Sequence, residues 1–194
     1  MTTQIRDGKG RGFLAKVNSD QQLITRATAV DQRLASAADQ NYYEATTAKV
    51  TLANANETGI IYIKNENQQG LDIVVDRVFF DMWTSTAGTG ADGTLRYYIN
   101  PTVTGGTDIV PANTFFASST AAVGTFKKSL TTMTGTAWWT GYITDKTAVE
   151  INEGRIVIPN GKSFGISVAA PTGNTNMDVS INIAFYYFDK DLIG

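Results

Sequence analysis

The stretch "MDVSINIAFYYF", residues 177–188, decides the fold class. Met177, Val179, Ile181, Ile183, Phe185 and Tyr187 share one parity, while Asp178, Ser180 and Asn182 hold the other. Successive side chains of a strand alternate faces, so this is the signature of a half-buried β-strand. Toward its end Tyr186 and Phe188 make the second face apolar as well, which predicts that another subunit or the arm covers that end of the strand.

The same pattern recurs upstream. "KSFGISVAA" turns Phe164, Ile166 and Val168 inward, and "GTLRYYIN" does so with Leu95, Tyr97 and Ile99. In "LDIVVDRVFFDMW" the parity switches, with Leu71, Ile73 and Val75 on one phase and Val78, Phe80 and Met82 on the other. A β-bulge near Asp76 and Arg77 restores a single buried face, because one extra residue resets the pleat. Further strands are predicted at Lys49–Leu52, Ile60–Lys64, Thr125–Leu130, Ala137–Thr144 and Arg155–Ile158. Eight or nine antiparallel strands in about 150 residues predict an all-β fold, an antiparallel two-sheet β-sandwich of jelly-roll type. Its Gly/Thr-rich loops are "STAGTGADG" (85–93) and "NPTVTGGTDIVPAN" (100–113).

Composition shifts near Asn41, which gives an extended N-terminal arm over residues 1–40 and a sandwich over 41–194. The arm opens with "IRDGKGRGFLAKVN" (5–18) and holds one helix candidate, "TAVDQRLASAAD", around Val30, Leu34 and Ala38. It carries six Lys/Arg against four Asp, while the whole chain is net −2. So little excess charge leaves no drive toward nucleic acid or an anionic membrane. No apolar run approaches the roughly 20 residues that span a bilayer, and no signal-peptide core is present, so the chain is expected to start near Met1.

The 194 residues include neither cysteine nor histidine. Disulfides, thiolate ligands and cysteine nucleophiles are excluded, as are a Ser-His-Asp triad and any His-bearing zinc site. Other chemistry is weakly supported. "RIVIPNGKS" ends like a phosphate-binding loop but has Ile156 where that loop needs glycine, and a strand rather than a helix follows. Asn160-Gly161 is better read as a tight turn over Pro159–Lys162 with the positive φ a hairpin demands. "GKGRG" lacks the dinucleotide spacing and a preceding strand. Carboxylate pairs such as Glu150 with Glu153, or Asp72 with Asp76, read as solvated strand positions, and calcium near Asp92 or Asp108 lacks ligand spacing. We therefore expect no catalytic residue, no metal and no cofactor. Trp83, Trp138 and Trp139 raise sugar stacking. Trp138 and Trp139 are adjacent, so they should face opposite sides of their strand, and one needs a cover or marks a binding patch.

"YYINPTVTGGTDIVPAN" (97–113) and "RIVIPNGKSFGISVAAPTGNTNMDVSINIAFYYF" (155–188), with the leader "AKVNSDQQLITRATAVDQRLASAADQNYY" (15–43), resemble a group of tailed-bacteriophage virion proteins. The similarity covers about two-thirds of the chain and is weakest between Thr114 and Trp139. It implies a capsid decoration protein, also called an auxiliary head or cement protein. Such a protein is a jelly roll, commonly trimeric, made in the host cytoplasm and bound outside the head to the major capsid protein. Arg6, Lys9 and Arg11 are then expected to pair with acidic capsid groups, with Phe13, Leu14 and Leu34 as apolar anchors. Strands apolar on both faces point to a homo-oligomer whose interface holds Tyr62, Tyr186 and Phe188. The alternative is a head-fibre or tail sandwich that binds a receptor or a host-surface glycan, and a carboxylate-based glycan hydrolase ranks below both.

Overall fold

The structure, a computed structural model, describes residues 4–6, 12–14, 40–52, 57–84, 93–143, 149–170 and 177–189. The chain divides into two compact units, Met1–Asp31 and Gln32–Gly194. In the first, β1 (Gln4–Arg6) and β2 (Gly12–Leu14) pair antiparallel with Ile5 opposite Phe13. The arm thus contains a short hairpin; the helix expected over residues 28–39 lies outside the described residues.

The second unit is an antiparallel two-sheet sandwich. Its strands are β3 (Tyr42–Thr46), β4 (Val50–Leu52), β5 (Glu57–Asn65), β6 (Asp72–Thr84), β7 (Gly93–Ile99), β8 (Thr102–Asp108) and β9 (Ala112–Asn113). They continue with β10 (Gly124–Thr134), β11 (Ala137–Ile143), β12 (Val149–Ile158), β13 (Ser163–Ala169) and β14 (Met177–Phe188). One sheet runs β11-β7-β13-β5-β10-β8, the other β12-β6-β14-β3-β9, with β4 also on β14. The pairs β5 with β13, β6 with β12, β7 with β11 and β8 with β10 are nested, as in a ribbon folded back on itself and wound into two layers. That winding is the jelly roll. The hairpin of β8 and β10 closes the ribbon beside β5.

The expected loop 100–113 is mostly strand. Gly105 and Gly106 take positive φ in β8 and its residues are largely exposed, so no alternation marks it in the sequence.

The alternating sets fill the space between the layers. Met177, Val179, Ile181, Ile183, Phe185 and Tyr187 are buried, as are Leu95, Tyr97, Phe164, Ile166 and Val168. Each such large side chain contributes roughly 1.5–3 kcal/mol on leaving water. The bulge expected on β6 is present: β14 pairs Ala184 with Arg77 but Phe185 with Val75, leaving Asp76 extra. Ile73, Val75, Val78, Phe80 and Met82 all enter the core as a result. Asp76 accepts a 2.6 Å hydrogen bond from the Tyr42 hydroxyl.

A second bulge lies at Ile60, where β13 pairs Ile166 with Ile61 but Ser167 with Gly59. It lets the adjacent Ile60 and Ile61 join one core. Beyond Ser129, with φ 51°, and a register shift at Thr131, β10 continues paired to β8 alone. There Leu130 and Met133 form a second apolar cluster with Tyr62 and Tyr98. The close approach requires glycine beneath: a Cβ at Gly165 would stand 2.7 Å from Met133, and one at Gly59 would stand 2.9 Å from Leu130.

The turn Pro159–Lys162 forms, with Lys162 N donating to Pro159 O at 3.0 Å. It is not a hairpin. Of its two central residues only Gly161 has positive φ, at 76°, the pattern of a type II turn. Such a turn splays its flanking strands, and here it carries the chain from β12 in one sheet to β13 in the other.

Asn65, fully buried at the end of β5, fixes that crossover. Its Nδ2 donates to Leu71 O at 2.8 Å and to Ile158 O at 2.9 Å, both in the opposite layer, while Oδ1 accepts from Asn67 N at 3.1 Å. Its backbone donates to Lys162 O and accepts from Gly161 N. A second tie joins the layers where Lys128 Nζ donates to Thr47 O at 3.0 Å.

Replacing Asn65 by Ala should cost about 3 kcal/mol, because two buried carbonyls lose their donor. Urea unfolding of Asn65→Ala checks this, and a loss below about 1 kcal/mol would mean that water replaces the amide. Alkaline pH gives a separate test. Burial raises the Tyr97 and Tyr187 hydroxyls above their ordinary 10.0, and burial, then the hydrogen bond to Asp76, raises Tyr42. The folded chain therefore holds these protons more tightly than the unfolded chain does. Their contribution to stability is complete below about pH 10 and declines as pH rises above it. Tyrosinate absorbance of these residues should appear together with unfolding rather than before it.

Candidate interaction surface

One group of exposed large apolar side chains gathers at β11 and β12, each the end strand of its sheet. The cause is a third bulge. β11 pairs Ala137 with Tyr98 but Trp139 with Tyr97, which leaves Trp138 extra. Strict alternation would send the two tryptophans to opposite faces, and this correction follows from the bulge: both rings lie against Tyr97, at 5.9 and 4.9 Å between centroids. They are nevertheless 48% and 39% exposed, because among the described residues no strand lies beyond β11. Trp139 lies over Gly141, where a Cβ would collide with the ring. Tyr142, 76% exposed, is paired with Thr94 farther along the strand.

A groove of about 370 Å³ opens beside Trp138. Ile99 ends β7, Val157 belongs to β12, and Phe164 is the second residue of β13; with Trp138 they give it apolar walls, and Asn100 and Lys162 add polar groups. The rim is rigidly built. Asn100, with φ 48°, donates its N–H to Ser163 O and accepts from Ser163 N through Oδ1, both at 2.9 Å. Tyr97, behind the groove wall, is packed by Phe80, Phe164 and both tryptophans. Its hydroxyl has no hydrogen-bond partner among the described residues.

The expected interface residues sit elsewhere. Tyr186 is buried within the chain and stacks on its cross-strand neighbour Tyr42 at 6.2 Å between ring centroids. Tyr62 is buried in the cluster with Leu130 and Met133, and Phe188 is half-buried. The two tyrosines therefore add little to the exposed apolar surface. The backbones of Arg6, Phe13 and Leu14 lie in β1 and β2, whereas Lys9, Arg11 and Leu34 lie outside the described residues.

Of the carboxylates considered, Asp76 is the bulge residue bonded to Tyr42, and Asp72 starts β6 and is half-buried. Glu150 and Glu153 fall on β12. Asp108 is largely exposed beside Lys127 at 3.3 Å, and Asp92 lies outside the described residues. Among the described residues no three His, Cys, Asp or Glu side chains gather as metal ligands.

Sequence reading missed one polar cluster, which joins three strands. Glu57 Oε1 accepts from Tyr98 and from the buried Ser167, while Oε2 takes Arg96 at 2.6 Å. These residues come from β5, β7 and β13, and only the register reveals their meeting. Also unforeseen was the exposure of Phe116, in a segment between β9 and β10 that has no periodic signal.

No family model, curated protein or solved structure matches the chain.

An apolar fluorescent probe should bind the groove, and Trp138→Ser combined with Val157→Ser should weaken that binding severalfold. Both side chains are 48% exposed, so stability should fall by no more than about 1–2 kcal/mol. Unchanged probe binding would place the apolar surface elsewhere.

Proposed function

We propose that this chain is a structural protein of a tailed-bacteriophage particle that decorates and stabilises the outside of the capsid. It works by adhesion. Its partner is the major capsid protein, it acts as an oligomer, and Arg6, Lys9 and Arg11 of the arm contact acidic capsid groups while Phe13, Leu14 and Leu34 anchor it. The observation that carries the reading is the character of the developed surface. Among the surfaces the sandwich offers to a partner is the apolar edge of Ile99, Trp138, Trp139 and Val157, a feature suited to binding. The resemblance of its turn and strand motifs to those of phage virion proteins is what suggests the particle.

A second reading has its own support. Trp138, half in water, stands over a groove that also holds Asn100, Lys162 and Ser163. An aromatic face beside a few polar groups is how a sandwich holds a sugar ring, which favours a glycan-binding protein of a head fibre or tail.

Cosedimentation of the full chain with heads of its phage tests the first reading. Wild type should bind, and Arg6→Glu, Lys9→Glu and Arg11→Glu together should reduce binding at least tenfold, since each reversal sets like charges opposite across the contact. Full binding by the variant would remove the arm from the contact. Absence of binding by wild type, with hits on a glycan array that Trp138→Ala abolishes, would replace the first reading by the second.

A further inference from the structure

Sheet edges expose unpaired N–H and C=O groups, and proteins protect them with charge, proline, bulges or brevity. Four strands end the two sheets here. β9 has two residues. β8 carries two glycines of positive φ and ends on Asp108. β12 contains Glu150, Glu153 and Arg155. The fourth, β11, reads "AWWTGYI" and has no charge and no proline along its seven residues; its one irregularity is the bulge at Trp138, beyond which Trp139–Ile143 run as a regular edge. It also bears the exposed rings of Trp138, Trp139 and Tyr142.

We infer that β11 is a homotypic interface: two copies of this chain pair β11 with β11, antiparallel about a two-fold axis near Thr140, making one continuous sheet through both. This inference does not depend on the virion reading and needs only the purified chain.

Two arguments select a second copy as the occupant. The first is charge. An identical strand laid antiparallel sets no like charges opposite one another, and β11 offers a foreign strand no charge to select it by. The second is area. A buried aromatic side chain covers about 150–250 Å², so three rings that are 39–76% exposed leave roughly 100 Å² or more each. Ile99 at 57% and Val157 at 48% extend the patch. Only complete covering of these side chains on both copies, on both faces of β11 and on β12, would bring the area to the roughly 1,000 Å² that a specific interface needs.

Charge at position 140 provides the test. Thr140 is exposed and faces Arg96 of β7, so Thr140→Glu keeps a favourable neighbour in its own chain. In the dimer, however, it brings two carboxylates together. Sedimentation equilibrium should show a wild-type dimer at micromolar concentration. Thr140→Glu and Thr140→Lys should each weaken it roughly tenfold or more, with circular dichroism unchanged. An equimolar mixture of the two variants should restore association, since unlike charges then meet. The native chain lacks cysteine, so Thr140→Cys should oxidise to a covalent dimer while Thr104→Cys on β8 should not. A monomeric wild type, charged variants that associate normally, a mixture that fails to recover, or cross-linking through position 104 instead of 140 would each overturn the inference.

Discussion

The sandwich is held in register by the buried amide of Asn65. A two-layer β fold has ample apolar attraction between its sheets, but that attraction is non-directional and tolerates sliding. Hydrogen bonds from one layer to backbone carbonyls of the other do not. Asn65 ends β5 and reaches Leu71 and Ile158 across the gap, while its own backbone grips the turn that carries β12 into β13. The crossover from β12 to β13, which lines the groove, is thereby held, and Asn100 and Ser163 continue the same rim. The geometry of the exposed surface is in this sense a consequence of one side chain that never meets solvent.

Much of the architecture was legible because half-buried strands advertise themselves by parity. β14 and β13 were read with their inward residues correct, β7 with Leu95 and Tyr97 correct but Ile99 wrongly inward, since it ends the strand at 57% exposure, and the parity switch at Asp76 announced its bulge. The same signal was present and unread at Ile60-Ile61 and Trp138-Trp139, where two adjacent large apolar residues cannot both face a core without an extra residue in the ladder. Treating those doublets as exposed faces placed an oligomer contact on Tyr62, and treating Trp138 and Trp139 as opposed side chains divided a patch that is in fact continuous. β8 and β9 were invisible for a different reason: short or exposed edge strands carry no alternation to detect.

The surface was harder to read than the core. A residue's burial follows from local pattern, whereas a patch is assembled from strands far apart in the chain. Ile99, Trp138 and Val157 become neighbours only through the order of the sheets. The Glu57, Tyr98 and Ser167 cluster spans 110 residues of sequence between its carboxylate and its serine. Pairwise proximity of this kind needs the register, which composition and motif do not contain. The arm presents the opposite case, with readable chemistry in its charges and an antiparallel pairing of Ile5 with Phe13 that no motif announced.

The nested winding of the ribbon bears on how the chain reaches its native state. Ile63 must find Phe164 and Val78 must find Ile151 before either sheet exists, so the loops that close first are long and their entropic cost precedes most of the reward. Acquisition of structure should accordingly be slow, in the millisecond-to-second range of non-local β topologies. Throughout that interval the aromatic-rich segment around Trp138 is an aggregation hazard, and crowded synthesis would favour helpers that shield it.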